Sequence, residues 1–347
     1  MSLETVPAER TDQEKIIDLL GLVFRVGPDS QLADARLLGW KIFSAPPGSE
    51  LPKGYLIKKN GSIVAYAGFW PLSLLTLAGP VPCGHAFDWA ARPESVGAGV
   101  LLFKRLVSMA ETMICIGGAP AARRILPSIG FRVVGQLDHY ARVVRPWSQF
   151  LSHTKNWKAP LRLARNTVWS LRPLAAVPRP WSSQPVRELQ TSHRLAVDRQ
   201  PVAAFTTCRR SIAMMNYLLA CPVAEMSAHI ILRGEQLRGN FLLARLGGQT
   251  RIADLWVQSE SAAEWSVAFS LAARAAANLC QTCEVTASAS VDCVRTALEQ
   301  NGFRKRGSDP VLFSDPGRRL HVGPPLHLNL ADGDLFFLHD PGWPYLT

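Results

Sequence analysis

The amino-acid sequence predicts a mixed α/β fold built as two domains of like construction. Three observations lead there. Short apolar runs that suit buried strands alternate with stretches whose apolar residues recur at helical spacing. The chain has 347 residues, enough for two domains that each bury a core, and its composition (48% hydrophobic, 19% charged, 8% aromatic) excludes wholesale disorder, collagen and coiled coil. One succession also occurs twice. Asp88 with Glu94-Ser95, and Asp254 with Glu260-Ser261 at the same spacing, each lead into an apolar helix, a short strand, a second helix and a Gly-Phe-Arg triplet at 130–132 or 302–304.

The first domain, 1–145, opens with a strand over 4–7. A helix follows, with Thr11 as cap, Glu14 three residues on as a capping box, and Ile16, Leu19, Leu20 and Val23 on one face. A helical stretch over 31–43 leads to Pro46-Pro47-Gly48. Strands over 54–58 and 62–70 flank Asn60-Gly61, a two-residue hairpin signal. Residues 63–84 carry no charge over 22 positions, long enough for a bilayer. Pro71, Pro80 and Pro82 with Gly68, Gly79 and Gly84 would break such a helix, so two apolar strands joined at Leu77-Ala78-Gly79-Pro80 are expected instead. A strand over 84–91, the Gly97-Ala98-Gly99 turn, a helix over 100–113, a strand over 114–116, a helix over 119–129 and two strands over 131–135 and 137–144 complete the domain.

The net charge of +11 comes mainly from one segment. Between Asp138 and Glu188 there is no acidic residue and there are nine basic ones, Arg142, Arg145, Lys155, Lys158, Arg162, Arg165, Arg172, Arg179 and Arg187. Residues 146–190 are proline-containing and basic, and read as a linker to a second domain over 191–347. Within it Trp157, Leu161, Ala164, Val168 and Leu171 form one apolar face of a helix whose other side carries Lys158, Arg162, Arg165 and Arg172. Such a helix packs its apolar face on a neighbouring domain and leaves its charges in water. The alternative is contact of 156–172 with an anionic membrane surface. Nucleic acid is not expected, since the basic linker alone would speak for it.

Seven cysteines, an odd number scattered in apolar surroundings, give no disulfide framework and point to a reducing compartment. The N-terminal residues lack the apolar core of a signal peptide. Together these predict a cytoplasmic protein, with any membrane contact peripheral at the inner membrane. Cys280 and Cys283 have zinc-like spacing but no second knuckle, so buried small hydrophobes are expected and no metal. His321, His327 and His339 read as surface or capping residues, and Trp40, Trp70, Trp89 and Trp256 as core, the alternative being stacking on a sugar face.

The order strand, Gly-x-Gly turn, helix, strand, helix, Gly-Phe-Arg resembles the GNAT superfamily of acyl-CoA-dependent N-acyltransferases, over 3–145 and more weakly over 205–315. The segments Gly117-Gly118-Ala119-Pro120 and Leu126-Pro127-Ser128-Ile129-Gly130-Phe131-Arg132, and the ending Leu338-His339-Asp340 with Tyr345-Leu346-Thr347, are similar to a subgroup found with bacterial exopolysaccharide biosynthesis. The resemblance implies two tandem GNAT-like domains, acetyl-CoA or another acyl-CoA as cosubstrate, and an amine acceptor on a small molecule or glycan, such as an amino sugar.

The family's phosphate loop falls on Val96-Gly97-Ala98-Gly99-Val100-Leu101, just beyond Ala91 at the strand end. Glycines let the backbone approach a pyrophosphate, and N–H groups opening the next helix bind its charge. Val96 stands where the family has a polar residue, and Leu101 where it has a small one. Asp88 and His85 are the candidate catalytic residues on the preceding strand. Period-two alternation puts them on opposite sides unless a bulge intervenes. Asp88 is the expected base, the alternative being a structural Asp bonding loop backbone. Leu126, and Leu298 in the second copy, occupy the place of the family's acidic tyrosine. The second copy has Ala262-Ala263-Glu264 in place of the glycines, which implies scaffolding or acceptor binding there. Two functions follow: an N-acyltransferase, or, as Val96, Leu101 and Leu126 suggest, an inactive binding or assembly protein of a polysaccharide system.

Overall fold

The computed structural model describes residues 4–27, 30–44, 53–152, 157–320, 325–339 and 344–347; Pro46-Pro47-Gly48, Lys155, His321 and Asp340 lie outside them. The chain forms two compact units that interleave along the sequence. One comprises Met1–Leu74, Ala78–Gly135 and Pro310–Gly323, the other Leu75–Leu77, Gln136–Asp309 and Pro324–Thr347. The sequence reading instead cuts the chain at 145 and 190.

In the first unit, β1 (Glu4–Pro7), β2 (Gly54–Lys59), β3 (Ser62–Thr76), β4 (Gly79–Ala91) and β5 (Met113–Ile116) lie in that order, and residues 311–314 pair antiparallel with β5. β1, β2 and β3 are antiparallel neighbours, whereas β4 and β5 run parallel. The uncharged stretch is the β3–β4 pair, turning at Leu77-Ala78 as expected. α1 (Gln13–Phe24) buries Ile16, Leu19 and Leu20. Its entry differs from expectation: the capping box joins Glu9 and Asp12, because a 3-10 turn over Arg10–Asp12 precedes the helix and moves its start past Thr11. The 31–43 stretch is helical in three pieces, a 3-10 turn, α2 (Ala35–Leu38) capped by Asp34, and a π-helical turn over Gly39–Phe43. α3 (Ala98–Met109) packs Leu102, Phe103 and Leu106 into a core with Ile57, Val64, Phe69, Phe131 and Leu312, and α4 (Pro120–Ile125) runs into a 3-10 turn ending at Gly130.

In the second unit the order is β6 (Arg132–Val143, from residue 136), β12 (Glu284–Ala289), β11 (Gln249–Val257), β10 (Gln236–Leu246), β9 (Glu225–Arg233) and β7 (Trp181–Val186), all antiparallel except the parallel β11–β12 pair. β8 (Thr206–Cys208) pairs with β14 (Leu326–His327). β6 is one strand where two were expected, Gln136 continuing it without a break, and β13 (Arg304–Ser314) likewise carries residues of both units. α9 (Ala262–Asn278) and α10 (Asp292–Gln300) cover a core that includes Trp256, Trp265, Phe269, Val285 and Phe303.

The 146–190 segment belongs to this unit and supplies α5 (Pro146–Ser152), α6 (Ala159–Ser170) and β7. α7 (Arg194–Val197) and α8 (Ile212–Leu219) complete it. The expected coverage by the apolar helix face is overturned: α6 buries Ala159 and Asn166 and leaves Leu161 and Val168 exposed, as are Trp157 and Leu171 in the turns at its two ends. Cys283 is buried but Cys280 is exposed, because Cys280 falls in the turn leaving α9. No helix among the described residues is long and apolar enough to cross a membrane, and no three His, Cys, Asp or Glu side chains among them group to hold a metal.

Candidate functional site

In the first unit β4 and β5 are paired at Gly84 opposite Met113 and His85 opposite Ile114, although β4 continues to Ala91. The two parallel strands therefore fork beyond His85. At the fork Asp88 has φ +48°, a left-handed conformation that aspartate tolerates better than most residues and that interrupts strand alternation. Its neighbour Phe87 and its own carboxylate consequently meet one ammonium. Lys41 Nζ donates to Asp88 Oδ2 at 2.7 Å and lies 4.2 Å from the Phe87 ring centre, with both charged side chains buried. His85 is buried and stacks against Phe87 at 6.2 Å. Both predicted catalytic residues thus join one cluster, organised by a lysine that sequence reasoning missed. Its signal was a single charge inside the apolar run Leu38-Gly39-Trp40-Lys41-Ile42-Phe43.

Trp70 holds that lysine's backbone by donating Nε1–H to the Lys41 carbonyl at 3.0 Å, and packs edge-on against Trp40 and Phe87. Trp40, Trp70 and Trp256 are buried, as expected of core residues. Cys115 on β5 is buried, and burial, then the nearby Cys83, pushes its thiol well above the usual range, which disqualifies it as a nucleophile.

The glycine turn stands where β4 hands over to α3. Gly97 has φ +83° and caps the helix without a side-chain bond, and a Cβ there would meet nothing within 4 Å. Ala98 N–H donates to the Ser95 carbonyl at 3.1 Å and Leu101 N–H to the Gly97 carbonyl at 2.9 Å, while the N–H groups of Gly99 and Val100 have no intrahelical acceptor. Trp89 donates Nε1–H to the Gly99 carbonyl at 2.9 Å. A Cβ on Gly99 would lie 2.9 Å from the Ala91 Cβ and 3.1 Å from Trp89 Nε1, so this glycine permits the close approach of helix to strand. Ala98 is buried, whereas Val96 (94% exposed) and Leu101 (45%) face outward. An open glycine at a helix N-terminus, with two N–H donors, suits a diphosphate group.

The second unit repeats the fork and closes it differently. β11 and β12 pair from Gln249 with Glu284 to Arg251 with Thr286, then separate. Asp254 is not exposed there: it is fully buried and pairs with Arg199 and with Arg210 (2.6 Å), and Arg210 also reaches Asp332 at 2.5 Å. Asn329 Oδ1 accepts from Leu255 N–H on one arm at 3.3 Å, and Ser290 Oγ beside the other arm binds the Leu326 carbonyl (2.7 Å) and Leu328 N–H (2.8 Å). Residues 326–332 therefore occupy this fork. His327, expected at the surface, is instead buried against Phe205, Trp256 and Trp265, and burial followed by the Arg199 charge lowers it to about 3. Glu264, opening α9, pairs with Arg238 at 3.4 Å and Arg233 at 3.6 Å. A cavity of about 180 Å³ remains, lined by His139, Gln249, Arg251, Leu335, Leu338 and Leu346. His139 Nε2 lies 2.8 Å from Asp309 Oδ2, a pair that no motif announces because β6 and β13 are far apart in sequence.

No family model and no curated protein matches this chain. Solved structures do share its fold. A GCN5-related N-acetyltransferase from Anabaena variabilis matches with TM-score 0.58 and 13% identity, over 90% of this chain and 72% of that one. A tandem GNAT protein from the clavulanic acid biosynthesis pathway matches with TM-score 0.55 and 12% identity, over 90% and 98%. Saccharomyces cerevisiae N-myristoyltransferase with bound myristoyl-CoA matches with TM-score 0.57 and 11% identity, over 90% and 83%. The fold is thus a mixed α/β arrangement in two units, shared with proteins of the GNAT fold, one of them a tandem protein.

Proposed function

We propose that this protein is an acyl-CoA-dependent N-acyltransferase whose first unit carries the chemistry. The observation that carries this reading is the forked β4–β5 pair ending in the open Gly97-Ala98-Gly99 turn at the start of α3. Acyltransferases of the same fold, one of them with myristoyl-CoA bound, support an acyl-CoA cosubstrate. Residues Ala91 and Val96 to Leu101 form the cradle for the CoA diphosphate. The acceptor amine nitrogen attacks the thioester carbonyl, forming the C–N bond as the C–S bond breaks. Asp88 takes the amine proton, and the CoA thiolate leaves. Lys41 fixes the Asp88 carboxylate at the fork. The second unit, with Glu264 for a glycine and its fork filled by its own chain, has the scaffolding or acceptor-side role.

We take acetyl as the transferred group and amino sugars as the acceptors to test first, the latter because 117–132 is similar to polysaccharide-associated members of the superfamily. The test is thermal unfolding with and without acetyl-CoA, since a ligand that binds only the folded state raises Tm. Gly97→Asp places a negative charge in open space at the cradle and should abolish the rise, while Ala263→Asp should leave it. A rise that survives Gly97→Asp overturns the cofactor assignment.

A further inference from the structure

The helix α6 is attached to its unit by the wrong face for an ordinary amphipathic helix. Its buried side holds Ala159 and the polar Asn166, whose Nδ2 donates to Gln149 Oε1 at 2.9 Å, and Gln149 in turn bonds Glu284 and Thr347. At 100° per residue these two positions lie opposite the stripe Trp157, Leu161, Ala164, Val168 and Leu171. That stripe is left in water: Trp157 is 78% exposed, Leu161 68%, Val168 66% and Leu171 76%. Trp147 and Leu151 on the adjoining α5 are exposed as well. Soluble proteins scatter exposed large apolar residues singly, so a stripe of this kind on one helix calls for a covering surface.

The charge beside the stripe says what covers it. Arg162 on α6, with Lys158 and Arg172 in the turns at its two ends, falls on one flank between the apolar stripe and the buried side; Arg165 shares that flank but donates to Asn166 Oδ1 at 2.9 Å and lies over the Trp169 ring. No acidic residue occurs from 139 to 187, and exposed Arg179 and Arg187 follow in the same stretch. Arg142 and Arg145 do not contribute, because their guanidinium groups bond the carbonyls of Asn301 and of Ala277 and Thr282. An apolar stripe with a cationic flank and no acid is complementary to anionic headgroups above acyl chains. A polyanion such as a nucleic acid would use the charges but not the stripe.

We infer that α6, with the exposed face of α5, docks this protein in the interface of an anionic phospholipid bilayer, the stripe entering the acyl boundary and the flank binding headgroups. This does not rest on the acyltransferase reading. The test is co-sedimentation of the full chain with phosphatidylglycerol–phosphatidylcholine vesicles and with phosphatidylcholine vesicles, at low and high salt. The expected result is binding to the anionic vesicles that weakens with salt, and loss of about tenfold or more in partition for Leu161→Glu with Val168→Glu, and separately for Lys158→Glu with Arg172→Glu. Both pairs are on the surface and should keep the wild-type Tm, which is checked alongside. Absence of binding to anionic vesicles at low salt overturns the proposal. So does binding that the Leu161→Glu, Val168→Glu pair leaves unchanged, with a DNA duplex competing, since that contact would be to any polyanion.

Discussion

Lys41 Nζ lies 2.7 Å from Asp88 Oδ2, with both side chains buried, so the first unit holds an ion pair at the point where its two parallel strands part. Burial makes the pair sensitive to loss of either partner. The remaining charge would stay buried beside Trp70 and Phe87 without this partner.

Asp88→Asn is therefore expected to lower stability as well as turnover, by roughly 3–5 kcal/mol in urea unfolding, and Lys41→Met by a similar amount. The double variant should cost less than the sum of the two, because the two single variants lose the same contact. Additive losses across the cycle would show that the pair is not coupled. Turnover separates roles: Lys41→Met with Asp88 present should retain more activity than the double variant.

Gly99→Ala tests the approach of helix to strand. The added Cβ would sit 2.9 Å from the Ala91 Cβ and 3.1 Å from Trp89 Nε1, tighter than packed carbons tolerate. We expect a loss of ~1–3 kcal/mol and a weaker acetyl-CoA shift in Tm, as the Trp89 bond to the Gly99 carbonyl is displaced. Unchanged stability would mean that α3 moves freely against β4.

Much of this architecture was legible because it is local. Asn60-Gly61 marked the β2–β3 turn, Leu77-Ala78 the turn inside the uncharged stretch, and Gly97-x-Gly99 the start of α3, each through backbone constraints confined to a few residues. The polar clusters were not legible, since they join distant residues. Asp254 meets Arg199, and through Arg210 Asp332, while His139 meets Asp309 across sequence gaps that no spacing rule spans. The exchange of chain between the units escaped for the same reason: a strand such as β13 looks identical in sequence whichever unit its residues serve. The direction in which α6 faces was decided by Asn166, a polar residue whose partner Gln149 lies on another helix.

Two histidines, the buried His327 and the half-buried His229, make stability depend on pH. Burial lowers His229, stacked on Phe241, to about 4, and His327 to about 3, so both are neutral in the folded chain when an unfolded histidine begins to protonate. The unfolded state then binds more protons, and stability falls as pH drops below ~6.5, by up to ~2.7 kcal/mol per pH unit for the two together. Chemical denaturation at pH 7, 6 and 5 should show this decline, and His327→Leu should roughly halve its slope. A flat profile from pH 7 to 5 would contradict the neutral buried state.

Glu284 carries the last prediction. This carboxylate is fully buried and accepts from Gln249 Nε2 at 2.8 Å, Leu346 N–H at 2.9 Å, Thr347 N–H at 3.0 Å and the Thr347 hydroxyl, with Gln149 Nε2 at 3.3 Å. Burial raises it above the ordinary carboxylate range, opposed by those donors. Deleting Leu346 and Thr347 removes three donors and leaves the burial cost, so the shortened chain should lose at least ~2 kcal/mol at neutral pH. The sign with pH follows from the direction of the shift. Losing donors raises the folded-state value further, protonation then relieves the buried charge, and the deficit of the shortened chain relative to the full one should shrink as pH falls. Glu284→Gln in the shortened chain should recover part of the loss at neutral pH, because a neutral amide has no charge to desolvate. A deficit that is the same at pH 8 and pH 5, and that Glu284→Gln does not reduce, would place the effect in lost packing of Leu346 instead.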